Sequence, residues 1–435
     1  TTLNTDVILL GFFGRSNINF KNKYLLTLSY RRDGSSRFEK ESRWGNFPSA
    51  AFAWKVKEDF FKDSNVVSDL KLRLSYGITG QQDIPDPNGY LEKYDLGGGN
   101  SQYQFGNAYF PIALPSKRTK NLKWEETVSY NAGLDFGVFN NVITGAVDVF
   151  YKEAKDLLVN AAISDGSNFS NRVYQNVGSF TTKGIEFTLN ASPIKTENFN
   201  WNINFNASKF ERRIKDLVYG TDIYVGDNIA GTGTPGQIFR EGYTPYSFYV
   251  YKQLYDTNGK AIEGAFADLN GDNIKNDSDR YIYNNPDPDV TLGFASTMNY
   301  KDIDFSFNLR ASIGNRIFNA VDASRAQYEA MENGGILSNV PSSILDTNFQ
   351  TTSNVLLSDI YIEDASYLRM DNVTLGYTFR KIMNESTSLR MFTGVQNVFV
   401  LTKYSGLDPE ITNNGVDKTI YPRQRTILFG LNLKF

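Results

Sequence analysis

Residues 426–435 read Thr426-Ile-Leu-Phe-Gly-Leu-Asn-Leu-Lys-Phe435 and alternate between two kinds of side chain. A strand that crosses a membrane turns one apolar face to lipid, while the opposite face can be polar and every backbone group pairs with a neighbouring strand. This pattern predicts the closing strand of a transmembrane β-barrel. The apolar face begins at Ile427, and we expect its last four residues, Phe429, Leu431, Leu433 and Phe435, to act as the C-terminal assembly signal of the barrel.

The composition limits the possible functions. The 435 residues contain 40% hydrophobic and 14% aromatic side chains and have a net charge of −3 without any block of one sign, which argues against a nucleic-acid partner. Cysteine and histidine are absent, so the chain has no disulfides, no zinc–thiolate sites and no Ser-His triads. We expect no enzyme activity. The sequence has no run of 18 apolar residues, so we predict no transmembrane helix.

The period-two pattern recurs along the chain. Residues 70–79, 303–313 and 373–380 alternate apolar and polar side chains in the same way as the last strand. We count about 13 such strands, many of roughly 10 residues, which is the length that crosses a bilayer when tilted. The sequence therefore predicts an all-β, antiparallel transmembrane β-barrel. A large soluble antiparallel β protein is the alternative, because it alternates too.

The connections between these strands favour the membrane barrel. Short links alternate with long ones, which is typical of outer-membrane barrels with tight periplasmic turns and long extracellular loops. Long loops without structure would be unusual inside a compact soluble domain. The long segments, which we expect to be extracellular, are 33–45, 81–125, 157–174, 216–289, 315–364 and 403–424.

If the short turns are periplasmic, the last strand runs inward, toward the periplasm. Counting strands back from the C terminus then predicts that the first strand, about 7–20, runs in the same direction. The number of strands is then odd, whereas bacterial single-chain barrels have even numbers and an open sheet leaves unpaired edges in lipid. We therefore expect the chain to be a fragment, with further strands upstream of Thr1. One helix is predicted at 315–333, where Ile317, Phe318 and Val321 share a face and Gly334 follows as a stop signal.

The strongest local motif is an acidic 12-residue segment, 268–279. Oxygen-bearing side chains fall at positions 1, 3, 5 and 12, a backbone carbonyl is available at position 7, and position 9 can hold a water, as in loops that wrap Ca²⁺. Position 6 is Asn273 instead of the usual Gly, and Asn tolerates the left-handed conformation. A metal-free turn rich in Asp and Asn is the alternative. The predicted ligands are Asp268, Asn270, Asp272, Ile274, Asn276 and Asp279.

Aromatic side chains are frequent in the long loops. Such residues can stack on sugars or peptides, or they can simply pack against one another. No pattern identifies the residues that contact a substrate. The loop aromatics considered are Trp44, Tyr103, Phe105, Tyr109, Phe110, Tyr243, Tyr246, Tyr249 and Tyr251.

Several segments, in order along almost the whole chain, make it resemble the C-terminal part of SusC/RagA-type TonB-dependent outer-membrane transporters. They include the strand and turn 23–38, the Trp-Gly-Asn-Phe-Pro-Ser stretch 44–49 and the acidic loop. The remaining segments are Thr182-Lys-Gly-Ile-Glu-Phe187, Ala365-Ser-Tyr-Leu-Arg369, Gln396-Asn-Val-Phe399 and Tyr421-Pro-Arg-Gln-Arg425.

The resemblance implies a 22-stranded barrel in the outer membrane of a Gram-negative bacterium, of which this chain supplies about 13 strands. It implies an N-terminal plug and early strands that the chain lacks. It also implies import of oligosaccharides or peptides beneath a SusD-like lipoprotein lid, driven by the TonB complex through an N-terminal segment. A structural subunit of a larger outer-membrane assembly is the alternative function.

Overall fold

The computed structural model describes residues 6–84, 86–96, 102–164, 166–217, 220–228, 235–333, 335–353, 355–382, 386–411, 414–418 and 421–435. Thirteen long strands form one sheet. Their bounds are β1 Leu9–Phe20, β2 Tyr24–Ser35, β3 Trp44–Lys55, β4 Val67–Gln81, β5 Glu125–Val138, β6 Ile143–Lys155, β7 Ser179–Lys195, β8 Phe199–Asp216, β9 Val290–Tyr300, β10 Ile303–Ile313, β11 Tyr367–Arg380, β12 Ser388–Thr402 and β13 Thr426–Lys434.

The sheet follows the order of the chain. Each strand from β1 to β13 pairs antiparallel with the next one, from Leu9 opposite Ser35 at the start to Gln396 opposite Thr426 at the end. The predicted number of strands and the all-β fold class are confirmed. The strands reach 18 residues in β8, which is longer than strands of soluble proteins and sufficient to cross a bilayer at a tilt.

Connections at the two ends of the sheet differ in length, as the sequence predicted. Because successive strands are antiparallel, every second connection lies at the same end. One end has short turns such as 21–23, 196–198 and 301–302, and its longest link, 56–66, contains helix α1, Lys57–Phe60. The other end has six connections, of which five have 23 residues or more and one, 36–43, is short, and we call it the external end. Its loops are 36–43, 82–124, 156–178, 217–289, 314–366 and 403–425.

The external loops contain secondary structure of their own. In the described part of the 314–366 loop lie two further α-helices, α2, Ala320–Arg325, and α3, Ile344–Thr347, and the described loops include the 3₁₀ helices Asp277–Asp279, Tyr328–Met331 and Asp359–Tyr361. No helix among the described residues is long and apolar enough to cross a membrane. The short loop strands are Tyr94–Leu96, Gln102–Phe105, Ala108–Pro111, Ala113–Pro115, Leu158–Ala162, Arg172–Asn176, Ile223–Asn228, Pro235–Phe239, Ser247–Tyr251, Gln253–Tyr255, Ala261–Phe266, Arg280–Ile282, Arg316–Asn319, Glu332–Asn333, Ile336–Leu337, Ile362–Asp364 and Val416–Asp417.

Pairing register gives the sheet two chemically different faces. Leu375 in β11 lies opposite Phe305 and Thr393, on the apolar face, and its side chain is 49% exposed. Thr374 lies on the other face, opposite Ser306. Since side chains alternate along a strand, this register places the polar residues of the neighbouring strands together. In a membrane barrel the apolar face contacts lipid and the polar face lines the lumen.

The predicted helix at 315–333 is wrong over most of its length. Arg316–Asn319 is a strand that pairs antiparallel with Ile362–Asp364 and parallel with Val416–Asp417, and only Ala320–Arg325 is α-helical. Ile317 and Phe318, at helical spacing in the sequence, are instead buried on opposite sides of this short strand, at 1% and 0% exposure. Tertiary pairing with two distant segments overrides the local helical pattern.

Candidate functional site: a folded external layer with an acidic loop

The long external loops form a hydrophobic core outside the sheet. Three of them, 217–289, 314–366 and 403–425, contribute fully buried side chains such as Phe248, Phe318 and Val416. Burial of this kind stabilises by about 1.5–3 kcal/mol for each large side chain. These loops therefore form a folded external layer. Its other core members are Val250, Tyr251, Ala320, Ala323, Phe349, Val355, Leu356, Leu357, Tyr361 and Ile362.

A buried ion network fixes the 403–425 loop to the barrel wall. Arg369 of β11 is 1% exposed, and its guanidinium lies 2.5 Å from a carboxylate oxygen of Asp408, which is 5% exposed. Arg310 of β10 pairs with Glu410, and Arg423 contacts Asp408 at 3.3 Å and Glu410 at 2.8 Å. Sequence reasoning missed this network, although Arg369 ends one of the family-like segments.

Several charges on the polar face of the sheet are paired with one another. Arg73 of β4 donates to Asp135 and Asp148, at 2.9 Å each, and Arg390 of β12 donates to Asp304 at 2.5 and 2.8 Å. Between these groups, amides such as those of Asn204 and Asn190 bond across strands. The lumen wall is thus polar, and part of its charge is neutralised by ion pairs between neighbouring strands.

The acidic segment 268–279 belongs to the external layer and brings three carboxylates together. One oxygen each of Asp268, Asp272 and Asp279 lie within 4.8 Å of one another. Backbone N–H groups of Gly271 and Asn273 donate to Asp268 at 2.7 and 2.9 Å, so the chain is wrapped around that carboxylate. Asn273 has φ 58°, the left-handed conformation expected at position 6.

The remaining predicted ligands lie in the same turn. Asn270 and Asn276 donate their side-chain N–H groups to Asp272 at 2.8 and 2.9 Å. Their side-chain oxygens accept from the backbone N–H of Asp272 and Ser278, and the Ile274 carbonyl accepts from Asn276 at 3.0 Å. All six predicted residues are therefore held in one compact loop.

Hydrogen bonds keep two of these carboxyl groups ionised. The pKa of Asp272 is lowered, chiefly by the backbone N–H of Ile274 and then by the Asn270 amide. The pKa of Asp279 is lowered by the backbone N–H groups of Asn276 first and then Leu269. These bonds favour the charged forms. Because the folded pKa lies below the ordinary value, this stabilisation is present above the ordinary Asp range and is lost as pH falls through the lowered pKa.

The segment that follows the acidic loop ties it to the core of the external layer. Arg280 is fully buried, donates to the Tyr249 carbonyl at 2.6 and 3.0 Å, and lies with its guanidinium carbon 4.5 Å from the Tyr249 ring centre. Lys275 places its ammonium over the rings of Phe266 and Tyr251, at 4.2 and 4.9 Å, and partial desolvation of the ammonium lowers its pKa. The position of the acidic loop is therefore coupled to packing in the layer.

The loop aromatics divide into two groups. Tyr249 and Tyr251 are buried at 6% and 8% exposure, so they serve packing. The hairpin 102–111 instead carries four aromatic side chains that are between 54% and 72% exposed. These are Tyr103, Phe105, Tyr109 and Phe110.

A cavity of about 720 Å³ opens between the 82–124 and 156–178 loops. Its lining mixes the charged groups Lys93 and Arg118 and the amide of Asn168 with the exposed rings of Tyr94 and Phe169. Polar groups beside flat rings suit a polar ligand with apolar faces. The sequence showed no motif for this cavity because its two loops meet only in three dimensions.

The C-terminal strand has the predicted alternation. Phe429 and Leu431 lie opposite Thr393 and Met391, on the apolar face of the sheet, and are 82% and 66% exposed. Leu433 and Phe435 are 53% and 92% exposed. Their role in assembly stays a prediction.

Comparison with known proteins gives consistent matches. The family model described as "TonB dependent receptor-like, beta-barrel" matches residues 2–398. "TonB-dependent receptor SusC" of Bacteroides thetaiotaomicron is 43% identical over 100% of this chain and 44% of its own length. "TonB-dependent receptor P3" of Formosa agariphila is 32% identical over 98% of this chain and 45% of its own length.

Solved structures share the fold. The structure of the RagAB peptide transporter matches with a TM-score of 0.82 and 23% identity, over 99% of this chain and 48% of the matched chain. The RagAB peptide importer in its open-open state matches with a TM-score of 0.81 and 24% identity, over 99% and 47%. The chain thus spans less than half the length of the proteins that it matches.

Proposed function

The chain belongs to the TonB-dependent receptor β-barrel family, as a SusC/RagA-type member in the outer membrane of a Gram-negative bacterium. On that premise we propose that it forms part of the barrel of an outer-membrane importer. The intact protein would take up oligosaccharides or peptides together with a SusD-like lipoprotein lid. The observation that carries the proposal is the similarity to SusC along the entire chain. The proposed activity is transport, and no bond is made or broken.

Three features of the described residues support this proposal. The polar face has several of its charges paired within the wall, as with Arg73 and Asp148, so these groups can hydrate a polar substrate without holding it strongly. The cavity between the 82–124 and 156–178 loops can receive a polar ligand at the external end. The exposed aromatic hairpin 102–111 offers an apolar contact surface for a lid. Energy from TonB would act through a segment outside this chain.

Import is tested by uptake measurements in whole cells. We expect cells with the intact gene to accumulate labelled oligosaccharides from a mixed polysaccharide digest, or labelled peptides from a casein digest, and a clean deletion to lose that uptake. A proton uncoupler should abolish the same uptake, because TonB depends on the membrane proton gradient. Unchanged uptake of every labelled fraction after deletion would refute the proposal. If deletion instead dissociates an outer-membrane complex, the structural-subunit alternative is favoured.

We also propose that the acidic loop 268–279 binds Ca²⁺ as a structural ion. The three carboxylates of Asp268, Asp272 and Asp279 converge, and none of them forms a salt bridge with a lysine or arginine in the described part of the chain. Such a concentration of hard oxygen ligands without a compensating cation suits Ca²⁺. The ion would neutralise this charge and hold the loop against the external layer.

Titration calorimetry of the intact protein tests calcium binding. Asp272→Ala removes the central carboxylate, so we expect Ca²⁺ binding to fall below detection. The matched control is Asp256→Ala, an exposed Asp in a hairpin of the same 217–289 loop, and it should bind like the parent. Binding should also weaken as pH falls below the ordinary Asp range, because Asp272 and Asp279, whose pKa is lowered, take up protons only there. Equal binding by the parent and Asp272→Ala would contradict the proposal.

A further inference from the structure

An apolar groove of about 620 Å³ lies on the lipid-facing side of β2 to β6. Its floor is the short side chain of Ala132, which lies in register between Leu74 and Val149. Both neighbours are about half exposed, at 46% and 53%, so they stand up as walls beside Ala132. A groove of this kind in a hydrocarbon environment accepts an acyl chain, because the chain gains van der Waals contacts with the floor and both walls of the groove.

A row of tyrosines closes the groove at its external end. Tyr76, Tyr130 and Tyr151 lie side by side in register on β4, β5 and β6, with neighbouring ring centres 5.2 and 6.4 Å apart. Tyrosine belts of this kind mark the boundary between hydrocarbon and head groups in outer-membrane barrels. The groove therefore ends at the level where a lipid head group begins.

The same row continues into a cationic surface. Tyr151 is in register with Lys183 of β7, which is in register with Glu211 of β8. The next row toward the membrane centre contains Ala132, Val149, Ile185 and Lys209. Each of these residues is in register with the next one, so Lys209 of β8 lies in the same row as the floor of the groove. We call this surface the basic rim. Its outward cations are Lys155, Lys183, Lys209, Arg213 and Lys215, with Glu153 and Glu211 interleaved.

The basic rim has more positive charge than its own carboxylates can neutralise. Glu211 serves both Lys183, at 3.0 Å, and Arg213, while Glu153 serves Lys215 at 2.6 Å. Lys209 is exposed and has no salt bridge to any carboxylate among the described residues. The side chains of Lys183, Arg213 and Lys215 are 66%, 58% and 56% exposed. The rim is thus an open site for anions.

Its height matches a head group that extends outward from the bilayer. From Lys209 to Lys215 the strand rises about 20 Å at roughly 3.3 Å per residue before tilt is considered. A phosphate at the hydrocarbon boundary would meet Lys209 and Lys183 first. Sugars attached to it would extend past Arg213 toward the loops, where guanidinium groups can donate to hydroxyls and further anions.

We propose that the groove and the basic rim together bind a phosphorylated glycolipid of the outer leaflet, of the lipid A type. One acyl chain lies in the groove over Ala132, and the head-group phosphate lies against Lys183 and Lys209. Charge complementarity selects this occupant, because cations beside the external end of an apolar groove fit an anionic lipid and repel a second copy of the same rim. The bound lipid anchors β6 to β8 where these strands project beyond the membrane.

Native mass spectrometry of the intact protein in detergent, titrated with monophosphorylated lipid A, tests the proposal. A cation near an anionic membrane surface contributes about fivefold in affinity, so Lys183→Gln, Lys209→Gln and Arg213→Gln together should weaken binding on the order of 100-fold. Dephosphorylated lipid A should bind the parent as weakly as phosphorylated lipid A binds this triple variant. The matched control, Lys21→Gln, Lys57→Gln and Lys301→Gln at the short-turn end, should bind like the parent.

A second variant tests the groove. Ala132→Trp fills it and should reduce lipid A binding at least tenfold, while heat-modifiable migration in gels shows that the barrel is folded. Three results would overturn the proposal: equal lipid A binding by the parent and the triple variant, equal binding of phosphatidylglycerol and lipid A by the parent, or loss of self-association in the triple variant with lipid binding intact. The last result would assign the surface to contacts between copies.

Discussion

Arg369→Met is expected to make opening of the 403–425 loop about 3–5 kcal/mol easier, because removing one partner of a buried ion pair leaves the other charge uncompensated. The group left without its partner is the carboxylate of Asp408, which is 5% exposed, and the arginine that it loses, Arg369, is 1% exposed. Arg423 also contacts Asp408, but its side chain is 40% exposed, so its charge is largely shared with water. Hydrogen exchange of the loop amides in the intact protein measures this opening.

The control for this experiment is Arg380→Met. Arg380 pairs with Asp302 at 2.5 Å, but it is 66% exposed, and exposed pairs contribute about 0–1 kcal/mol. A double variant, Arg369→Met with Asp408→Asn, should recover most of the loss, because the buried charge is then gone. If Arg369→Met and Arg380→Met have equal effects on exchange of the 403–425 loop, the buried network does not hold the loop.

Leu375→Arg is expected to lower the free energy of unfolding of the barrel by about 2 kcal/mol, since an arginine on the lipid face costs roughly 2–4 kcal/mol near the midplane and less toward the interfaces. Leu375 lies between Val373 and Tyr377 on the apolar face, on the short-turn side of its centre. Thr374→Arg is the matched control, because Thr374 lies on the opposite face beside Ser306. Urea unfolding in phospholipid vesicles measures both changes. Equal losses would show that the faces are assigned wrongly.

The strand pattern was predictable because it is local. Alternation along residues such as 303–313 depends only on the order of side chains within the strand. Every strand that has one face in lipid repeats the same alternation. The number of strands and the alternation of short and long connections are therefore visible in the sequence. The acidic loop is local in the same sense, since the spacing of Asp268, Asp272 and Asp279 within 12 residues brings their carboxylates together.

Features that depend on distant pairing were not predictable. Helical spacing at 315–333 was misleading because Ile317 and Phe318 are placed by strands about 45 and 100 residues further along the chain. The network of Arg369 and Asp408 joins residues 39 apart, and neither residue carries a signal of burial in the sequence.

The basic rim was also missed, for a different reason. Apolar alternation in β8 ends at Ala207, whereas its pairing with β7 continues to Asp216, and the alternation gave no indication of what the charged positions in between face. Outward positions beyond Ala207 are charged, as expected where a strand passes from the hydrocarbon boundary outward and an apolar face no longer brings an advantage. A strand that leaves the membrane changes its side-chain pattern while its backbone pairing with the next strand continues.

Placement of the apolar face in hydrocarbon is the central claim, and fluorescence quenching by brominated lipid tests it directly. These 435 residues contain no cysteine, so single cysteines at Leu375 and Thr374 can each carry the same fluorophore in an intact protein from which any cysteine elsewhere has been replaced. In bilayers containing lipid brominated on its acyl chains, the label at 375 should be strongly quenched and the label at 374 should not. Equal quenching at the two positions, or none at 375, would contradict the account.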